Sequence, residues 1–135
     1  MNKRTVFVSL AIVAGAVAIL AWRAGVFDTA PPASLQVTVP QLTETARAGA
    51  ALFDENCAAC HGPNGGGSEN GPPLIHKIYE PGHHADGAFH LAAKQGVRSH
   101  HWSFGDMPPV EGITDDEVSA IVVYVREVQR ANGIN

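Results

Sequence analysis

Cys57-Ala58-Ala59-Cys60-His61 holds the only two cysteines of this 135-residue chain, three positions apart, with a histidine directly behind the second. No other feature narrows the available folds as much. Two thiols are too few for a disulfide framework, yet a folded region of about 90 residues buries little core by itself and needs a staple. Cys-x-x-Cys-His is the attachment signature of c-type haem. Two thiols one helical turn apart can form thioethers to the two vinyl groups on one porphyrin edge, and the adjacent histidine is then held beneath the iron as an axial ligand. Three other readings compete. A thioredoxin-like dithiol would use the same pair, but it needs a strand–helix context and has no use for His61. A structural zinc site could join Cys57 and Cys60 to His84 and His90, although the linker from Cys60 to His84 is long and no finger-like hairpin is visible. An ordinary disulfide beside a chance histidine fits least.

The segment before the motif points to export. Residues 6–22, VFVSLAIVAGAVAILAW, carry no charge, Lys3 and Arg4 precede them and Arg23 follows. A cationic start before an apolar run is the pattern of a signal peptide or an uncleaved membrane anchor. Extended to Phe27, the segment approaches the roughly 20 residues that span a bilayer as a helix. Residues 1–27 are therefore expected to anchor the chain, with Lys3 and Arg4 cytoplasmic. The alternative is a cleaved signal and a soluble periplasmic protein. Either way the rest of the chain lies on the periplasmic side, where c-type haem is attached. Residues 28–42, with Pro31, Pro32 and Pro40, read as a semi-extended tether. The folded domain is expected at 43–135. It holds twelve of the thirteen acidic residues but six of the nine basic ones, a balance of about −6. That argues against a nucleic-acid partner and suggests transient docking onto basic patches of redox partner proteins. The alternative is a charge that only solubilises the domain.

An all-α domain is expected, its helices joined by long glycine- and proline-rich loops. Ala46, Ala50, Phe53 and Cys57 recur at helical spacing over Thr43–Cys57. The last helix is predicted over 114–132, opened by a Thr114/Glu117 capping box and striped by Val118, Ile121, Val122, Val125 and Val128, with Gly133 as its stop. A shorter helix fits from Ala85 or Asp86 to Gln95, with Gly96 ending it. No alternating strand and no repeat is found. Loops this long in a small domain imply that they wrap something.

A haem iron calls for a sixth ligand. The chain has two methionines, and Met1 lies ahead of the apolar segment. Met107, stiffened by the prolines behind it in FGDMPPVEG, is the candidate thioether. At this point the chain resembles the single-haem class I cytochromes c over about residues 44–132. Gly49 and Phe53 stand eight and four residues before Cys57, where that family places a glycine and an aromatic on its first helix. Tyr124 falls where its last helix carries the aromatic partner. GPPL, residues 71–74, looks like the family's Gly-Pro-x-Leu, and Met107–Pro109 matches its distal loop. The resemblance implies that Gly49 permits close crossing of the terminal helices, that Phe53 packs near the haem edge, and that the Pro72 carbonyl accepts the second ring N–H of His61. It also implies that Leu74 packs on the same face, and that helices and loops wrap the haem as the missing core.

Five of the seven histidines lie in residues 79–102: His83, His84, His90, His100 and His101. A second metal site is one reading, with copper as the candidate ion. If residues 86–95 are helical, the two pairs stand on the order of 15 Å apart at opposite ends. One pair with His90 or Asp86 is then easier than all four on one ion. Bonds to haem propionates, helix-end capping, a pH-sensitive docking surface and distal haem ligation are the other readings. Trp102 and Phe104, just ahead of Met107, are expected to pack against the haem.

The function these features imply is one-electron transfer through haem c, with His61 and Met107 on the iron, between membrane-associated partners outside the cytoplasm. No residue is needed as acid, base or nucleophile, and no small-molecule substrate is expected. A haem subunit of a larger oxidoreductase and a copper-responsive cytochrome are the alternatives.

Overall fold

Thr43 caps the first helix among the described residues, its side-chain oxygen accepting from the Ala46 N–H at 3.3 Å. The computed structural model describes residues 35–135. Among these residues there are four α-helices: α1 (Glu44–Asn56), α2 (Ala58–His61), α3 (Asp86–Gln95) and α4 (Asp115–Ala131). Single 3₁₀ turns lie at Pro63–Gly65 and Lys77–Tyr79. Among the described residues there is no strand, only one isolated antiparallel bridge between Val97 and Met107.

The face that α1 buries is Ala46, Gly49 and Phe53, the i, i+3, i+7 set of a one-sided helix. The predicted Thr114/Glu117 box opens α4, with each side chain bonded to the other residue's backbone N–H. Valines are indifferent helix formers, but here tertiary burial outweighs propensity. Val118, Ile121, Val122, Val125 and Val128 are all at most 4 % exposed.

Helices α1 and α4 cross where Gly49 meets Ala120. A Cβ on Gly49 would lie 2.0 Å from the Ala120 carbonyl oxygen, so only glycine permits this approach. Beside the crossing, the Phe53 and Tyr124 rings lie 5.5 Å apart at 56°. The Thr43 hydroxyl donates to Glu127 Oε1 at 2.6 Å and so ties the start of α1 to α4. The main core cluster joins these helices to Leu74 and Ile75, while Ala93 of α3 packs on Val118 and Val122.

Residues 35–42 have no regular structure, in keeping with Pro40, but they lie against the domain. Thr38 N–H donates to Asn132 Oδ1 at 3.0 Å, and Asn132 Nδ2 donates back to the Thr38 carbonyl at 2.8 Å. Val37 and Leu42 pack against the main core. Part of the segment expected as tether therefore lies packed on the helical domain. Residues 1–27 and the remainder of the tether lie outside the described residues. Among the described residues no helix is long and apolar enough to cross a membrane.

Candidate functional site

The Cys-x-x-Cys-His segment is built at a helix break. Cys57 leaves helical geometry at φ −125°, and α2 then winds a single turn to His61. A carbonyl-rich loop folds back over that turn: Gly67 N–H donates to the His61 carbonyl at 2.7 Å, and Leu74 N–H to the Gly65 carbonyl at 2.8 Å. Asn64 sits in the left-handed region at φ 54°, where its side-chain oxygen accepts from the Tyr124 hydroxyl at 3.1 Å. Tyr124 therefore does more than pair with Phe53: it fixes the loop behind the histidine.

His61 Nδ1 lies 2.9 Å from the Pro72 carbonyl oxygen. A carbonyl can only accept, so this contact requires Nδ1–H and leaves Nε2 as the nitrogen with a free lone pair. Burial holds the His61 ring below its ordinary imidazole value, opposed by the bond to Pro72. The neutral, ligand-competent form is thereby favoured. Burial, with Cys60 adding to it, pushes the Cys57 thiol up to about 11. Among the described residues His84 and His90 do not join the cysteines in a group that could hold a metal, so the expected four-residue zinc site is not assembled.

A cavity of about 490 Å³ opens beside this segment, a volume within the range of small-molecule and cofactor sites. His61 and Pro72 form one part of its wall, and Met107 and Trp102 another. Phe89, Leu91, Ala92 and Val97 give the wall its apolar surface. Met107 is placed by backbone: its N–H and carbonyl both pair with Val97, each at 2.9 Å. Gly96 makes that pairing possible, since a Cβ there would lie 2.4 Å from the Met107 carbonyl oxygen, and its φ is +73°. Cys57, Cys60, Phe53 and Leu74 are not on the cavity wall. Cys60 is exposed, Cys57 packs on the main core, and Phe53 and Leu74 are buried within that core.

Two features of this cavity fit an apolar, partly charged cofactor. Leu91 is 59 % exposed and Phe104 41 % exposed, although both line the wall; a flat apolar group would cover them. Among the described residues the Trp102 indole N–H is buried without a well-formed hydrogen bond, although it lies close enough to the Tyr79 hydroxyl to oppose the rise that burial gives that group. A poorly bonded buried donor is costly, and a carboxylate of the cofactor would satisfy it.

The histidines are arranged differently from the sequence expectation. The loop 97–107 turns back through the Val97–Met107 bridge, which brings the second pair to the first across α3. His83 Nε2 and His101 Nε2 lie 3.3 Å apart, not at the helix-length separation expected. One ring nitrogen from each of His83, His84 and His101 lies within 4.8 Å of the other two. His90 is elsewhere, with Nδ1 3.3 Å from Asp115 Oδ1, and Asp86 is engaged by Arg126. Neither completes a site with a histidine pair, contrary to the expectation from sequence. His101 is held below its ordinary value, first by lost hydration and then by repulsion from His100, His84 and His83.

Sequence reasoning missed the polar network that holds this region. Arg126 is 6 % exposed and Gln129 1 % exposed, both on α4 and outside its valine stripe. Arg126 Nη1 donates to the Tyr79 carbonyl at 2.7 Å, Nη2 to the His84 carbonyl, and Nε to Asp86 Oδ1 at 2.8 Å. Gln129 Nε2 donates to the Leu74 and Tyr79 carbonyls at 2.9 and 3.0 Å. The one sequence signal was an arginine and a glutamine three apart within the helix that carries the valine stripe.

A family model described as Cytochrome c matches residues 46–129. No curated protein and no solved structure matched the chain.

Proposed function

The chain belongs to the cytochrome c family, and from that premise we propose that it carries single electrons through a haem held between His61 and Met107, on the periplasmic side of a membrane to which residues 1–27 anchor it. Membership brings a covalently bound haem c with its iron, and haem-based electron transfer. Such proteins generally carry electrons rather than catalyse. Bound here, the haem supplies an iron that cycles between the ferrous and ferric states.

The observation that carries the ligand assignment is that His61 and Met107 line the same cavity, with His61 Nδ1 committed to Pro72. His61 would offer Nε2, and the Pro72 bond would keep its ring orientation fixed as the metal charge changes. Met107 would offer its thioether, whose backbone is pinned to Val97 on both sides. Cys57 and Cys60 would hold the cofactor by thioethers, which a domain too small to enclose it needs. Trp102 would donate to a carboxylate of the cofactor, and Leu91 and Phe104 would cover its apolar surface. The acidic balance of the domain supports weak docking onto cationic surfaces of redox partners, and an anchor would raise the local concentration of those partners.

Expression with haem-attachment machinery tests the assignment. The chain should gain the mass of one haem and show a reversible one-electron potential. Cys57→Ala with Cys60→Ala should abolish the covalent gain. A two-electron thiol couple without haem would overturn the reading.

A further inference from the structure

The three converging imidazoles lie outside the ligand set of the haem reading. They come from two segments far apart in sequence, the turn after Tyr79 and the loop that carries Met107. We propose that His83, His84 and His101 form a second metal site, for a divalent first-row transition ion, that staples the Met107 loop to the 83–84 turn.

The spacing of the nitrogens accommodates an ion, all three lying within 4.8 Å of one another. Two nitrogens each about 2.0–2.1 Å from a tetrahedral ion stand about 3.3 Å apart, which is the separation of His83 Nε2 and His101 Nε2. Without an ion, two neutral imidazoles meeting there share a single hydrogen bond. The third ring is set by its surroundings. His84 Nδ1 lies 2.7 Å from the Ile78 carbonyl oxygen, so it carries the proton and Nε2 keeps its lone pair. A ligand histidine tied through its other nitrogen to a backbone carbonyl is the usual arrangement at metal sites. The backbone at His84 is fixed in turn by Arg126 and by its own N–H bond to the Glu80 carbonyl at 2.8 Å. His83 and His101 are exposed, which leaves a path for an ion and room for a water ligand.

Three imidazoles with no thiolate and no carboxylate select the later members of the series, with copper(II) bound more tightly than zinc(II). His84 and His101 also line the cavity. The ion would thus link the two segments that frame one side of it, and the Met107 loop would be stiffened by occupancy.

The test is a titration of copper(II), then zinc(II), into the haem-loaded full chain, followed by equilibrium dialysis and, for copper, electron paramagnetic resonance. One saturable equivalent with nitrogen hyperfine coupling is expected. His83→Ala and His101→Ala should each weaken it by more than about 100-fold, since even partners outside the ligand shell account for up to that much. His90→Ala, remote from the cluster, should leave it unchanged. Saturating metal should raise the unfolding midpoint of the parent protein and not that of His83→Ala. No saturable equivalent, or undiminished binding in His83→Ala and His101→Ala, or loss of binding in His90→Ala, would overturn the proposal. The haem spectrum of the same samples reports on Met107 separately, so failure of the ion site and failure of the axial assignment are distinguishable.

Discussion

Gly49 is defined by what it lacks. A side chain there would be driven into the Ala120 carbonyl, and backbone cannot swing aside as a flexible side-chain tip would. Gly49→Val should therefore cost about 3 kcal/mol or more, at the upper end of overpacking, read as a fall in the urea midpoint of the haem-loaded protein. Phe53, fully buried beside it, should cost about 3–5 kcal/mol as Phe53→Ala. Both positions were legible in the sequence through the family resemblance, which places them eight and four residues before Cys57, and Phe53 also falls on the helical period. The placement of Phe53 within the helix-crossing core rather than on the cavity wall was not. Spacing fixes a helix face, but not which neighbours meet that face.

At the scale of elements, the three principal helices were legible to within a residue or two because caps and apolar stripes are local signals. As caps, Thr43, Thr114, Glu117 and Gly96 act within a few positions of themselves. The loops were not legible, since carbonyls far apart in sequence organise them. Arg126 and Gln129 bind three of those carbonyls and depend on a fold-back that no periodicity reports. The expected consequence is an asymmetry within one ion pair. Asp86 is largely exposed, so Asp86→Asn should cost about 1 kcal/mol or less. Arg126→Ala, which strips charged donors from the part-buried Tyr79 and His84 carbonyls and removes a buried side chain, should cost more, about 2–3 kcal/mol. Thermal unfolding of the two variants would separate them; equal costs would contradict the network's role.

The caps carry a pH signature. Glu117 is held below its ordinary value of 4.5 by the Thr114 backbone N–H and then its hydroxyl. Glu127 is held down chiefly by the Thr43 hydroxyl. In both cases the unfolded chain takes up the proton first as pH falls. Their contribution is complete above 4.5 and is lost as pH drops through the lower folded values. The Glu117→Gln, Glu127→Gln double variant should show a flatter unfolding midpoint below pH 4.5 than the parent.

For the whole molecule, the charge balance and the cavity act together. A domain of about −6 should exchange electrons with a cationic redox protein at a rate that falls as salt is raised, and with an anionic one at a rate that rises. Stopped-flow kinetics at two ionic strengths reads the sign directly. The need for a cofactor was legible from chain length and the Cys-x-x-Cys-His spacing. The cavity's own features, the poorly bonded Trp102 N–H and the exposed Leu91 and Phe104, became visible only with the fold. The account stands or falls on the iron's sixth ligand. The most direct measurement is a ferric absorption spectrum of the haem-loaded chain read into the far red, followed by reduction under carbon monoxide. A weak far-red charge-transfer band with no carbon monoxide binding is the predicted result, and Met107→Ala should abolish the band and admit the gas. Absence of the band in the parent protein, with or without carbon monoxide binding, would contradict the pairing of His61 with Met107.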